Sequence, residues 1–125
     1  MSLTSFAPTL KQKDVPVPSM GKGATIIVTE KTIANVIRLQ GLFELIDELG
    51  VKSTETLIAA MLICTMKKPD GSYLLPNDDI DTINLVAHKT DSDTTDALYE
   101  AYIELNPVPE AKPEEKSLDA KKKKS

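Results

Sequence analysis

The stretch Leu57-Ile-Ala-Ala-Met-Leu-Ile-Cys-Thr-Met66 constrains this chain more than any other part of it. Ser53 is a natural N-cap just ahead of it, and Glu55 puts an anion in the first turn, where the helix dipole favours one. Nearly every position is apolar, so the helix predicted here has no face to give to water. It must lie at the centre of the fold, covered by its neighbours. Burying each Leu, Ile or Met along it contributes roughly 1.5–3 kcal/mol. The run is far short of the ~20 apolar residues that span a bilayer. Lys67 and Lys68 are expected near its end, where the dipole favours cations, with Pro69 stopping it.

The cover must come from a chain of 125 residues, which suits one domain. Helical spacing predicts a helix from Thr29 or Thr32 to about Leu49, with Ile33, Val36, Ile37, Gln40, Phe43, Leu45, Ile46 and Leu49 forming its apolar face. Gly41 lies inside it at about 1 kcal/mol relative to Ala, marking either close packing or a break. Gly50 suits the left-handed residue after the helix. Pro69-Asp70-Gly71-Ser72 reads as a turn, followed by Tyr73-Leu74-Leu75 as a short apolar anchor. Asn77 is the expected cap of a helix running to His88, with Asp78, Asp79 and Asp81 near the positive end of its dipole. Asp91 or Ser92 caps a last helix whose stripe is Ala97, Leu98, Ala101, Tyr102 and Leu105, and Asn106-Pro107 ends it.

Upstream, Asp14 to Val17 alternates, but Pro16 and Pro18 lack N–H donors, so this piece suits only an edge strand. Thr25 to Thr29 is a β-branched strand, and Met20 to Gly23 supplies the turn between the two. The fold expected is mainly α: a four-helix domain with an N-terminal β-hairpin over residues 14–106. A flexible arm, 1–13, precedes it, and a disordered, charged tail, 107–125, follows it.

The charge and the reactive residues narrow the chemistry. Fifteen bases against nineteen acids give a net charge of −4, without the basic face of a nucleic-acid binder. The imbalance is uneven: residues 1–106 carry nine bases and fifteen acids, and the remainder six and four. Cys64 stands alone, excluding an internal disulfide framework, and reads as a small core residue. His88, the single histidine, excludes a His-rich metal site and suits a helix C-terminus. Gly21-Lys22-Gly23 is a hairpin turn, not a phosphate loop. The aspartates at 78, 79 and 81 lack the glycine and terminal glutamate of a calcium loop. No nucleophile–base or carboxylate pair is placed by motif, so no enzyme, cofactor or metal is expected. Met1 to Leu10 has no cationic start and no long apolar run, which points to a reduced, cytoplasmic setting without a membrane segment. From Asp70 to Glu104 nine acids face only Lys89. That is either a solvated outer face or an acidic docking surface for a basic partner.

From Leu57 to Asn106 the order of features resembles the tail assembly chaperones of long-tailed bacteriophages. These have a buried helix, a D-G-x-x-L loop, an acid-acid-Ile or Val helix start, and a last helix ending in Leu-Asn. The matching residues are Asp70-Gly71, Leu74-Leu75, Asp78-Asp79-Ile80 and Leu105-Asn106. Asp14-Val-Pro-Val-Pro18 and the strand to Thr29 are similar to the N-terminal part of the family pattern. The chain departs from it at Leu75, where an aromatic is usual, and near Met20, where a Trp is frequent. The resemblance implies a non-catalytic protein of the host cytoplasm that binds the tape measure protein and helps the major tail tube protein polymerise around it. It also implies absence from the finished virion and, in many relatives, a longer frameshifted product, an idea that Lys121 to Lys124 invites. Tyr73, Leu74, Leu75, Asp78 and Asp79 are the candidate partner-binding residues, the alternative being that the three apolar ones plug the core. Self-association stays open. Two other readings stand beside this one: a structural tail or head–tail completion protein kept in the virion, and a small helical cellular regulator.

Overall fold

A computed structural model describes residues 10–107 of the chain. The expected disordered tail from 108 onward and residues 1–9 of the expected arm lie outside the described residues. In chain order the elements are β1 (Gln12–Pro16), β2 (Thr25–Thr29), α1 (Ile33–Glu48), α2 (Thr54–Thr65), β3 (Met66–Lys67), α3 (Ile80–His88) and α4 (Ser92–Leu105), with a short 3-10 turn at Pro18–Met20. The four helices among the described residues are joined by a three-stranded antiparallel sheet, so the fold is mixed α/β rather than a helical bundle carrying a hairpin.

The apolar helix is α2, and it sits where its composition requires. Ala59, Ala60, Leu62, Ile63 and Cys64 are all fully buried. The helix packs against α1, α3, α4 and β2, which leave only the start of its first turn exposed and Leu57, Ile58 and Met61 half-buried. Its first turn is held by a reciprocal pair: Thr56 N–H donates to Ser53 Oγ at 3.2 Å, and Ser53 N–H donates to Thr56 Oγ1 at 2.9 Å. The helix ends before Pro69 is reached. Thr65 is its last residue, and Met66 is already extended, so Lys67 and Lys68 are not in a final turn. Instead Met66 and Lys67 pair with Val28 and Ile27 of β2. Val28 is wholly buried, and an unpaired backbone edge beside it would leave polar groups without partners. Closing that edge outweighs one more helical turn.

β1 pairs with β2 from Gln12↔Thr29 to Pro16↔Thr25 and lies on the edge of the sheet, as Pro16 demands. It starts at Gln12, two residues before the expected hairpin. Val15, Ile26 and Val28 turn inward, and α4 covers both strands.

In α1 the buried residues, Ile46 apart, are not those expected. Asn35, Leu39, Leu42 and Ile46 face inward. Ile33 is 80% exposed, Ile37 62% and Val36 37%. Two stripes at three- and four-residue spacing run along this helix, and a polar residue decides between them. Asn35 Oδ1 accepts from Thr32 N–H at 3.0 Å, Thr32 Oγ1 accepts from Asn35 N–H at 3.2 Å, and Asn35 Nδ2 donates to the Tyr73 hydroxyl at 2.7 Å. With both polar atoms of its side chain partnered, Asn35 can be buried, and the helix is rotated accordingly. The helix closes on Gly50, whose φ of +68° allows Val51 N–H to reach the Ile46 carbonyl at 3.1 Å.

Asp79, not Asn77, caps α3, because Thr82 offers it both a backbone N–H at 2.9 Å and a hydroxyl at 2.7 Å. Asp91 caps α4 and also accepts from Ser19 Oγ at 2.6 Å, tying the 3-10 turn to the helix start. At the other end of α4, Asn106 Oδ1 accepts from Lys31 N–H at 2.6 Å, and its Nδ2 donates to the carbonyls of Thr29 and Tyr102. One side chain thereby fastens the last helix to the connection between β2 and α1.

Gly41 marks neither a break nor a close internal contact. The helix runs straight through it, and a Cβ there would meet nothing within 4 Å. Gly41→Ala should therefore stabilise the protein by about 0.5–1 kcal/mol, seen as a higher urea midpoint at unchanged slope.

Candidate partner-binding site

The loop between β3 and α3 carries four of the five candidate residues and abuts the fifth, Asp79, which caps α3. Its backbone is set by the Pro69-Asp70-Gly71-Ser72 turn. Gly71 N–H donates to the Lys68 carbonyl at 2.9 Å, with Gly71 at a φ of +90° that a side chain would resist. Asp70 Oδ1 accepts from both the N–H and the hydroxyl of Ser72. Lys67 then bridges to Tyr73, and Leu74 N–H donates to the Met66 carbonyl at 3.1 Å, so the loop leaves as an extension of the sheet.

What holds the loop against the body is Arg38 of α1, the one arginine in a chain with fourteen lysines. Its side chain is only 8% exposed. Nη1 donates to the Ile63 carbonyl at 3.1 Å, Nη2 to the Leu75 carbonyl at 2.6 Å, and Nε to Asp78 Oδ1 at 2.6 Å. The guanidinium also lies over the Tyr73 ring, 4.3 Å from its centroid, and Lys67 Nζ lies 4.8 Å from the same centroid. A buried cation needs this many partners to offset its lost hydration, and only a planar fork of five donors reaches them all. Lysine reaches fewer. The use of arginine at a single position, on a helix otherwise poor in bases, was the signal in the sequence. Burial, and then the Arg38 charge, draws the Lys67 ammonium below its ordinary pKa. Burial also pushes the Cys64 thiol up to about 11, so it is a packing residue and not a poised thiolate.

The five candidate residues therefore do not form one patch. Tyr73 is half-buried between the two cations and holds Asn35. Asp78 is paired with Arg38. Asp79 is committed to capping α3. Leu74 and Leu75 line a groove of about 560 Å³ shared with Met20, Ile26, Met66 and Leu85. On the other side of the loop, Tyr73, Pro76 and Asp78 form one wall of a second groove of about 620 Å³, whose opposite wall is α1. The acidic segment divides in the same manner. Asp70, Asp78, Asp79, Asp91 and Glu104 each have a hydrogen-bond or ion-pair partner within the fold. Asp81, Asp93, Asp96 and Glu100 have no ion-pair partner among the described residues. Among those residues no group of three or more His, Cys, Asp or Glu is placed to hold a metal ion. No helix there is long and apolar enough to cross a membrane.

No protein-family model and no curated protein matches the sequence. Among solved structures, the fold is similar to that of the bacteriophage HK97 tail assembly chaperone, at 16% sequence identity and a TM-score of 0.49, over 77% of this chain and 85% of that one.

Arg38→Met should cost about 1.5–3 kcal/mol, because it leaves the Ile63 and Leu75 carbonyls without their charged donor. Urea unfolding measures the loss, and altered tyrosine fluorescence in the native baseline should report release of Tyr73. Acid should weaken the fold through the aspartate caps. Asp79 is held below its ordinary value of 3.8 by the Thr82 hydroxyl and N–H, and Asp91 by Ser19 and then Thr94. A carboxyl with a depressed folded pKa contributes fully above its unfolded value and loses that contribution as pH falls through the folded one. The urea midpoint should therefore fall as pH drops below 3.8, and Asp79→Ala should flatten the fall.

Proposed function

We propose that this protein is a tail assembly chaperone of a long-tailed bacteriophage. It acts in the host cytoplasm without catalysis, binds the tape measure protein, promotes polymerisation of the tail tube protein around it, and does not remain in the virion. The observation that carries this reading is the ordered set Asp70-Gly71, Leu74-Leu75, Asp78-Asp79-Ile80 and Leu105-Asn106. In this fold Asp70 orders the turn, Asp79 caps α3, and Asn106 joins the last helix to the β2–α1 connection. A pattern whose polar members each fasten a named point of the structure supports common descent over chance spacing.

The surface suits the task. An amphipathic segment awaiting assembly is held by an apolar groove on a soluble, acidic body, and the small body offers two such grooves beside its central loop. The Lys121–Lys124 run is where we place the shift into a longer product, which requires an A-rich slippery heptamer and an overlapping downstream frame in the gene.

Co-expression with the tape measure protein of the same genome tests the reading. The tape measure protein should remain soluble and co-purify with the tagged chain. Unchanged solubility without co-purification would overturn the proposal. Mass spectrometry of purified virions should find the chain absent; stoichiometric copies would establish the structural tail component instead.

A further inference from the structure

Among the described residues, the outer face of α1 holds the most exposed large apolar side chains. Ile33 and Ile37, one turn apart, are 80% and 62% exposed, and Val36 beside them is 37% exposed. Large aliphatic side chains this open, grouped on one helix, mark a contact surface rather than a solvated one. They continue into the groove whose α1 wall is Ala34, Ile37, Gly41 and Leu45 and whose loop wall is Tyr73 and Pro76.

Two further features say what fits there. The first is charge. Glu44, Glu48 and Asp78 stand along the groove, and Arg38 is the one base lining it among the described residues. Arg38 is buried and paired with Asp78, so Glu44 and Glu48 leave the open rim anionic. A second copy of the chain would bring the same acids against these, which disfavours self-pairing. The groove beside Met20 and Leu85 has one acid and one base, Asp91 and Lys89, and so selects no charge. The second feature is Gly41. Glycine costs a helix interior about 0.5–1 kcal/mol, and nothing inside this fold requires it, since a Cβ would meet only open space. What it provides is outward: room for another backbone to approach.

We propose that this groove binds an amphipathic helix whose apolar stripe is flanked by lysine or arginine, with Gly41 letting the two helix axes approach to the near end of the usual ~8–10 Å. The proposal names the docking face of the chaperone reading and rests on that reading for the origin of the helix. Leucines of the incoming stripe pack on Ile33 and Ile37, and its basic flanks meet Glu44 and Glu48.

The test uses the full chain with isoleucine δ-methyl labels, observed by NMR. The probes are two synthetic peptides of about four helical turns, one patterned from leucine and lysine and the other from leucine and glutamate. The lysine peptide should shift Ile33 and Ile37 saturably while Ile26, in the other groove, stays in place. The glutamate peptide should shift neither. Gly41→Gln, which fills the groove without threatening the helix, and Ile37→Ser should each weaken lysine-peptide binding about tenfold. Shifts at Ile26 alone, equal binding of both peptides, or unaltered affinity in Gly41→Gln would overturn the proposal. So would Ile37 shifts that grow with protein concentration in the absence of peptide, which would assign the face to a second copy. Ile37 shifts on replacing Lys121–Lys124 with Gln would assign it to the chain's own terminus. Loss of the peptide interaction with the tape measure protein still captured overturns the groove and spares the chaperone reading. Peptide binding without capture does the reverse.

Discussion

A helix of twelve residues that is apolar nearly all round beyond its first turn has to be covered by its neighbours, and the rest of this protein is arranged to do it. α1, α3, α4 and β2 all pack against α2. The sheet exists in its three-stranded form because α2 ends against β2: the chain emerges from the helix beside an open strand edge, and two residues of extended backbone satisfy it. Helix and sheet thus share one core, and α4 binds them together by packing on α2 and on both β1 and β2.

The second organising contact is ionic. Arg38 joins three segments distant in sequence: α1, the end of α2 at Ile63, and the loop at Leu75 and Asp78. In water such a pair contributes little, but a guanidinium withdrawn from solvent and supplied with carbonyls, a carboxylate and an aromatic face is costly to disturb. The loop's path, and so the two grooves on either side of it, follow from that one side chain. By contrast, Lys13 and Glu104 meet at 2.6 Å in the open, where screening leaves little of their attraction.

The central helix, the Thr25–Thr29 strand, the edge position of the Pro16 strand and the cap at Ser53 were legible in the sequence because each follows from local composition. The features that were not legible depend on partners distant along the chain. The inward face of α1 turns on Asn35, whose burial makes sense only once Tyr73 is beside it. The β3 strand is two residues long and exists to satisfy an edge that the sequence does not display. Asp79 won the cap over Asn77 because Thr82 stands three residues beyond it and Arg38 holds Asp78 away. Of the candidate contact residues, Tyr73, Asp78 and Asp79 are engaged within the fold, whereas Leu74 and Leu75 face a groove. A polar residue in a motif reads the same whether it serves a partner or the chain's own backbone.

Asn106 has a consequence for anything attached to this body. Its amide grips the Thr29 carbonyl and the Lys31 N–H at the same time, so the exit of α4 is pinned beside the entry of α1. The end of α4 therefore holds a fixed address on the surface. Products of different length sharing these residues would present different extensions from the same place, and the choice between them would alter what is tethered without altering the tether.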